Sequence, residues 1–245
     1  MAYDFRAQRL FVDFPLDAGA IIEPDRAQAH YLLHVLRLKA GDAILVFNGR
    51  DGEWRAILRD AGRKTCRLAI DERSRAQPDP PDLDFLFAPL KQARLDYMVQ
   101  KAVEMGAGRL VPVKTQFTQI SRVNADRMRA NAIEAAEQCG ILSLPEIAPL
   151  TRLDQALAGW DPARRLIFCD EAAPVADPLA ALRAVPAGPL AVLIGPEGGF
   201  SADERARLMQ LPQVTAISLG PRILRADTAA VAALAIVQAV IGKGR

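Results

Sequence analysis

The sequence has few of the residues on which metal centres and disulfide frameworks depend. It contains three cysteines and two histidines in 245 residues, and the cysteines, Cys66, Cys139 and Cys169, form no C-x-x-C pair. His30 and His34 stand four residues apart, but no glutamate of the HExxH type lies between them. We therefore expect no metal, no disulfide scaffold and a reducing, cytoplasmic setting.

Charge of one sign and long apolar segments are also scarce. The 31 Lys and Arg residues are nearly balanced by 29 Asp and Glu residues, for a net charge of +2. Whole-chain charge therefore does not indicate a nucleic-acid binder. The longest apolar stretch, residues 229–241, is too short to span a bilayer, and the N-terminus does not read as a secretory signal. We expect no membrane association.

Two glycine-containing segments near the C-terminus each follow a short apolar run. We call residues 195–200, which follow the run 190–194, the first glycine turn. We call residues 218–228, which begin at the end of the run 214–219, the second glycine turn. Such runs are typical of strands buried on both faces, and ligands bind beyond the carboxyl ends of such strands. Glycine lets a ligand approach the backbone, so the turns are candidate walls of one pocket, although glycine also simply ends strands. Neither turn matches a dinucleotide or phosphate-binding fingerprint.

The first third of the chain has the pattern of a small β-rich domain. Residues 9–12, 43–47, 53–58 and 66–70 are predicted strands, and residues 25–39 are a predicted helix that ends at Gly41. Between residues 55 and 75, three acidic residues face seven basic ones: Arg55, Arg59, Arg63, Lys64, Arg67, Arg73 and Arg75. The pattern fits either a solvated face or a surface that contacts phosphates.

A proline-rich segment, residues 77–82, indicates a domain boundary, because its three prolines continue neither a helix nor an internal strand. We predict a first domain over residues 1–74, a linker over 75–82 and a second domain over 83–245. In the second domain, predicted strands at 83–87, 110–113 and 166–169 alternate with predicted helices at 94–105, 126–139, 177–183 and 226–240. This alternation favours an α/β fold with a mostly parallel sheet and helices on both faces.

The two glycine turns, IGPEGGFS and SLGPRILRADTAA, resemble the C-terminal motifs of the SPOUT methyltransferases, most closely those of the ribosomal RNA small subunit methyltransferase E family. Three more blocks resemble that family in the same order: HVLR with Gly41-Asp42, Lys91 with QKAVEMG, and AEQCG with Leu144-Pro145. The resemblance implies a C-terminal SPOUT α/β domain with a deep trefoil knot, preceded by a small β-rich PUA-like RNA-binding domain. It also implies a homodimer.

The activity that this resemblance implies is methyl transfer from S-adenosylmethionine to N3 of a specific uridine in 16S rRNA, either free or in the assembled small ribosomal subunit. The candidate cofactor-binding residues are Ile194, Gly195, Pro196, Gly199, Ser218, Leu219, Gly220, Ile223, Leu224 and Thr228. The candidate catalytic residues are Arg225, Glu197 and Asp227, and the candidate RNA contacts are Arg9, Arg37, Arg55, Arg63, Lys64 and Lys91.

The chemistry of that reaction needs neither a metal nor a covalent enzyme intermediate. The enzyme has to hold the methyl carbon in line with the nucleophile and favour the anionic form of that nucleophile. Arg225, at the start of the last predicted helix, is suited to stabilise a uracil anion or a nearby phosphate. Alternatively, Arg225 forms a structural ion pair with Asp227 or Glu197. Because N3 lies on the pairing edge, the target base must be unpaired or extruded.

Four features depart from the family pattern. Asp227 stands where glutamate is usual, Ile141 where arginine is usual and Met105 where leucine is usual. The segment TQFTQ at 115–119 lacks the common Ser-Glu-Arg pattern. Two other functions stay open: a ribose 2′-O-methyltransferase of the SPOUT class, and a non-catalytic RNA-binding protein on the same fold. The RILRADT block argues against the first, whose final motif usually carries asparagine, and cofactor binding would argue against the second.

Overall fold

The structure is a computed structural model that describes residues 7–62, 64–173 and 177–242, so the candidate RNA contact Arg63 lies outside the described residues. The chain forms two compact units. One comprises Met1–Asp79 with Ile133–Leu144, and the other comprises Pro80–Ala132 with Pro145–Arg245. The chain first passes from one unit to the other within the proline-rich segment. Residues Ile133–Leu144, which we placed in the second domain, group with the first unit.

The first unit is built on a five-stranded sheet. Its elements are β1 (Arg9–Phe11), β2 (Ile21–Ile22), α1 (Arg26–His30), β3 (Ala43–Phe47), β4 (Glu53–Arg59) and β5 (Arg67–Arg75). The strand order is β1-β3-β4-β5-β2, with β1 and β3 parallel and the other neighbours antiparallel. Alternate residues such as Val46, Ala56, Leu58, Leu68 and Ile70 are buried in one apolar core. The predicted small β-rich domain is confirmed by this sheet.

The helix predicted over residues 25–39 is shorter than expected. Asp25 and Gln28 form a capping box at the start of α1, but a π-helical turn, Tyr31–Val35, follows at once. Arg37 then adopts a left-handed backbone conformation with φ of 57°, which ends the helical path before Gly41. Apolar periodicity does not reveal this ending, since Leu38 still packs against the same core.

The second unit is a parallel sheet with helical connections. Its elements are β6 (Leu83–Phe87), α2 (Gln92–Glu104), β7 (Arg109–Lys114), β8 (Glu146–Ile147), β9 (Thr151–Arg152), α4 (Leu153–Ala158), β10 (Arg165–Cys169), α5 (Pro178–Arg183), β11 (Leu190–Ile194), α6 (Ala202–Gln210), β12 (Val214–Ile217) and α7 (Ala226–Val240). Between β7 and β8, helix α3 (Ala125–Cys139) begins in this unit and ends in the first. The strand order is β12-β10-β11-β6-β7-β8, with β9 paired to β7, and each of these pairings is parallel. The mostly parallel α/β sheet is confirmed.

The central strands of this sheet are buried on both faces. All five residues of β11 are buried, and Ala191 and Leu193 share a core cluster with Phe168 of β10 and Leu208 of α6. Helix α7 packs against β11 and α2. The short strands β8 and β9 were not predicted, because two-residue strands have no readable period. No helix within the described ranges is both long enough and apolar enough to cross a membrane.

Candidate active site

A cavity of about 200 Å³ lies at the loops that follow β10, β11 and β12. These strands are neighbours, so their carboxyl ends meet at one edge of the sheet, where ligands bind in open α/β folds. The predicted cofactor residues that line it are Ile194, Gly195, Pro196, Gly199, Ser218, Leu219, Gly220, Ile223 and Leu224. Thr228 lies in the first turn of α7 and is not among the described residues that line the cavity. The structure thus brings both glycine turns to one cavity.

The first glycine turn is closed by a backbone hydrogen bond and packs against an aromatic ring. The amide of Gly199 donates a hydrogen bond to the Pro196 carbonyl at 2.9 Å, and Gly199 has a φ of 67°. A Cβ atom on Gly195 would lie 2.5 Å from Cε2 of Phe200, a distance that forces a shift. The ring of Phe200 stands edge-on to Phe168 in the core, with centroids 4.9 Å apart. Glycine at position 195 therefore permits a close approach that any side chain would block.

The second glycine turn needs glycine for a different reason. Gly220 has a φ of 112°, in the region that side chains disfavour, yet no atom lies within 4 Å of the position of a Cβ. Backbone conformation, not space, selects glycine here. Ile223 in the same turn is 95% exposed beside the cavity.

A third loop, which follows β10, completes the cavity and was not predicted. Asp170 is buried and accepts a hydrogen bond from Nε of Arg205 at 2.7 Å, and both residues line the cavity with Glu171. Burial raises the pKa of the neighbouring Cys169 thiol to about 12, so at neutral pH this side chain is a thiol and not a nucleophilic thiolate. Two carboxylates directly after a buried strand run are the signal that would have revealed this loop.

Arg94 links the two candidate catalytic carboxylates and was also missed. Its Nε and Nη2 atoms donate to Oδ2 and Oδ1 of Asp227 at 3.1 and 3.3 Å, and its Nη1 atom donates to Oε1 of Glu197 at 2.5 Å. Burial alone would raise the pKa of Asp227, but the hydrogen bonds from Arg94 and the Thr228 amide outweigh it and lower the pKa. Asp227 is therefore ionised at neutral pH.

Arg225 forms neither of the ion pairs that we considered as alternatives. It is the N-cap residue of α7, its side chain is exposed, and it has no ion-pair partner among residues 7–62, 64–173 and 177–242. Arg94 instead pairs with Glu197 and Asp227, and the Arg225 guanidinium, within the second glycine turn, stays unpaired in the described part of the chain.

The candidate RNA contacts differ in their accessibility. Arg37, Arg55 and Lys64 are exposed in the first unit, where Arg55 pairs with Asp71, and Lys91 is exposed at the N-cap of α2 in the second unit. Arg9 is different, because its Nε atom donates to Oε1 of Glu53 at 2.9 Å and the two side chains are only 2% and 3% exposed.

Arg9 is therefore part of a buried ionic cluster. Arg75 and Ser74 donate further hydrogen bonds to Glu53. Burial would raise the pKa of Glu53, but these bonds lower it. The cluster gives Arg9 a structural role in place of the RNA contact that we predicted.

The histidine pair does not extend into a metal site. The rings of His30 and His34 lie 4.9 Å apart between centroids. No group of three or more His, Cys, Asp or Glu side chains placed to hold a metal ion occurs in the part of the chain that the structure describes.

The parallel sheet, the cavity at its carboxyl edge and the small β unit before it in the sequence define an α/β protein with a ligand-binding cavity. A family model for an RNA methyltransferase domain matches residues 77–238, and one for an RNA methyltransferase PUA domain matches residues 24–71. The chain belongs to the ribosomal RNA small subunit methyltransferase E family, which confirms the resemblance seen in its sequence motifs.

The relatives match over nearly the whole chain. Ribosomal RNA small subunit methyltransferase E from Synechocystis is 32% identical over 240 residues, which are 96% of this chain and 78% of that protein. The enzyme of the same name from Neisseria gonorrhoeae, solved with S-adenosyl methionine, superposes with a TM-score of 0.83 and 25% identity. A methyltransferase from Legionella pneumophila, solved with bound SAM, also gives a TM-score of 0.83, with 27% identity. Each of these two matches covers 96% of this chain and 98% of the other.

Proposed function

We propose that this protein transfers the methyl group of S-adenosylmethionine to N3 of a uridine in the 16S rRNA of the small ribosomal subunit. The observation that carries the proposal is the cavity between the two glycine turns, flanked by a free arginine and two tethered carboxylates, in a chain of this family. The N3 position is what the resemblance of the second glycine turn to the final motif of this family implies.

The lining of the cavity fits S-adenosylmethionine. Ile194, Leu219 and Leu224 supply apolar walls, which suit a flat adenine ring. Glu171, which is exposed in the cavity, offers a carboxylate to the ribose hydroxyls or to the amino group of the methionine moiety. When bound, the cofactor supplies an activated methyl group. The chain's own residues then have to orient the uracil and favour its anionic form.

Arg225 is the residue best placed to favour that anion. It is exposed, it forms no ion pair in the described chain, and it stands at the N-terminal end of α7, where the helix dipole also favours negative charge. Asp227 has a lowered pKa and is held by Arg94, so it is a weak base. We assign Asp227 and Glu197 to holding the second and first glycine turns through Arg94 rather than to accepting the N3 proton.

We assign RNA binding to basic residues of both units. Arg37, Arg55 and Lys64 are exposed in the segment that matches the PUA model, and Lys91 is exposed in the catalytic unit. Arg63, outside the described residues, belongs to the same matched segment by its position in the sequence. We propose residues 1–74 as the RNA-binding domain, residues 75–82 as its linker and residues 83–245 as the catalytic domain. We propose a cytoplasmic location, which an rRNA substrate supports.

We also propose that the protein acts as a homodimer. The exposed apolar side chain of Ile223 beside the cavity would be buried by a second copy. Sedimentation equilibrium would give twice the mass of the chain. A monomer at micromolar concentration would contradict the dimer without affecting the proposed reaction.

The proposed reaction is tested on small ribosomal subunits purified from cells that lack this protein. The subunits are incubated with the protein and S-adenosylmethionine, and nucleosides from their 16S rRNA are analysed by mass spectrometry. We expect N3-methyluridine. A 2′-O-methyl product would contradict the proposal that the base accepts the methyl group. If there is neither a product nor cofactor binding, the protein would be a non-catalytic RNA-binding protein.

A further inference from the structure

We infer that Phe117 forms the stacking platform for the extruded acceptor base, beside the first glycine turn and just outside the cofactor cavity. This inference deepens the proposed function and rests on it. Phe117 lies in the segment 115–119, which lacks the Ser-Glu-Arg pattern common in the family.

Phe117 touches the first glycine turn directly. A Cβ atom on Gly198 would lie 3.1 Å from Cβ of Phe117, which is tighter than ordinary van der Waals contact, and 3.5 Å from its Cγ. Neither Phe117 nor Gly198 lines the cavity, whereas Gly195, Pro196 and Gly199 of the same turn do. The ring therefore lies against the turn but outside the cavity.

The strand order explains why the ring lies outside the cavity. Strand β11 leads into the first glycine turn, with β10 next to it on one side and β6 on the other. The cavity uses the loops after β10, β11 and β12, while Phe117 follows β7, beyond β6. In-line transfer requires the acceptor to approach the methyl carbon from the side away from the donor sulfur, and a base stacked on Phe117, outside the cavity but against the turn that lines it, would approach from the cavity's rim.

The loop that carries Phe117 is anchored although the ring is 45% exposed. The hydroxyls of Thr115 and Thr118, both buried, lie 2.9 Å apart, and the Thr115 amide donates to the Thr118 hydroxyl at 2.9 Å. The amide of Gln116 donates to Oε1 of Glu204 at 2.8 Å. Single exposed apolar residues are common on proteins. A ring held in place by its own loop beside a glycine turn is instead suited to receive a flat ligand.

The charge around this position suits a nucleotide. Lys91 is exposed at the start of α2, on the loop after β6, and so stands between the first glycine turn and the Phe117 loop along the sheet edge. It has no ion-pair partner within the described segments. An aromatic ring for the base and a free cation for the phosphate are the combination that binds unpaired nucleotides. Stacking also leaves the pairing edge, and hence N3, accessible to the methyl group.

The first test uses Phe117→Leu, which keeps an apolar side chain but removes the ring. We expect kcat/KM for small subunits to fall by about 5-fold to 100-fold, which corresponds to the roughly 1–3 kcal/mol of one stacked base. The affinity for S-adenosylmethionine, measured by calorimetry, should stay unchanged. Phe117→Trp should restore turnover. Tyr97→Leu is the matched control, because Tyr97 is equally exposed, on α2, and plays no part in the proposed subsite.

The second test is direct. A single-stranded oligouridylate carrying one 5-iodouridine is irradiated with the full-length protein, and the crosslinked peptide is sequenced by mass spectrometry. We expect attachment at Phe117 and its loss in Phe117→Leu. Crosslinks confined to other segments, or normal turnover by Phe117→Leu, would overturn the inference. A changed sedimentation mass of Phe117→Leu would also overturn it, because Phe117 would then form a contact between copies of the chain. If the wild-type protein crosslinks at Phe117 but methylates no RNA, the base-binding role of Phe117 would be supported and the proposed methyl transfer would be contradicted.

Discussion

The guanidinium of Arg94 holds the carboxylate of Asp227 through two hydrogen bonds, of 3.1 and 3.3 Å, across 133 positions of sequence. The same guanidinium also binds Glu197. One side chain on α2 thereby ties the first glycine turn to the start of α7. Asp227 is one methylene shorter than the glutamate usual in the family, and the arginine reaches it without loss of bidentate geometry.

Removal of the Arg94 side chain should disturb both glycine turns at once. We expect Arg94→Ala to lower kcat/KM by about 10-fold to 100-fold, because a displacement of about 1 Å at a reacting centre has effects of that size. Arg127→Ala is the matched control, since Arg127 binds Asp96 in the same bidentate manner away from the cavity. Equal activity of the two variants in a methylation assay would contradict the assignment.

Arg225 should act on the reaction and not on the cofactor. Its guanidinium has no partner in the described chain, so Arg225→Ala removes a charge without leaving a buried carboxylate unpaired. We expect methyl transfer to fall by roughly 100-fold or more, as for loss of a donor that stabilises a developing anion, while calorimetry shows cofactor affinity within a factor of about 2. Arg183→Ala, at the exposed end of α5, serves as the control. Near-normal turnover would remove the catalytic role of Arg225.

Gly220 should be required for the shape of the second glycine turn. Valine at a φ of 112° is strongly disfavoured, so Gly220→Val should rearrange the turn and abolish binding of S-adenosylmethionine in calorimetry. Gly19→Val is a close control, because Gly19 also has a positive φ, of 84°, with no atom near its Cβ position, but lies in the first unit. Both variants should keep the circular dichroism spectrum of the wild type. Cofactor binding by Gly220→Val would contradict the pocket assignment.

Glu53 should make the stability of the first unit depend on pH. Its folded-state pKa is lowered, so ionised Glu53 stabilises the fold above the unfolded-state pKa of about 4.3, and that contribution is lost as pH falls through the folded-state pKa. Glu53→Gln leaves Arg9 buried without its counterion, and we expect a loss of about 3–5 kcal/mol in the free energy of unfolding at pH 7.

The measurement is urea unfolding of wild type and Glu53→Gln from pH 7 to pH 3. The difference between the two should shrink toward the acid end. Asp71→Asn, which breaks the exposed pair with Arg55, should cost less than about 1 kcal/mol at any pH in this range. A constant difference between wild type and Glu53→Gln would show that the ionised carboxylate is not the source of the stability.

Sequence patterns predicted most of the elements that carry the site. The strands Leu83–Phe87 and Leu190–Ile194 and the helix Ala226–Val240 have the predicted bounds, because strongly apolar runs and clear turn residues mark both ends. The helix at Arg26–His30 was predicted too long, since its ending depends on the backbone of Arg37. The trefoil knot stays a prediction, because no local pattern encodes how one segment threads another.

The sequence alone determined the family, the two glycine turns and the mostly parallel sheet, because these depend on local composition and on the order of motifs. Only the tertiary structure decided which charges meet. It paired Arg94 with Glu197 and Asp227, left Arg225 without an ion-pair partner among the described residues, and buried Arg9 against Glu53. Sequence spacing cannot supply such pairings, since side chains more than 40 or 100 positions apart become neighbours only when strands and helices pack.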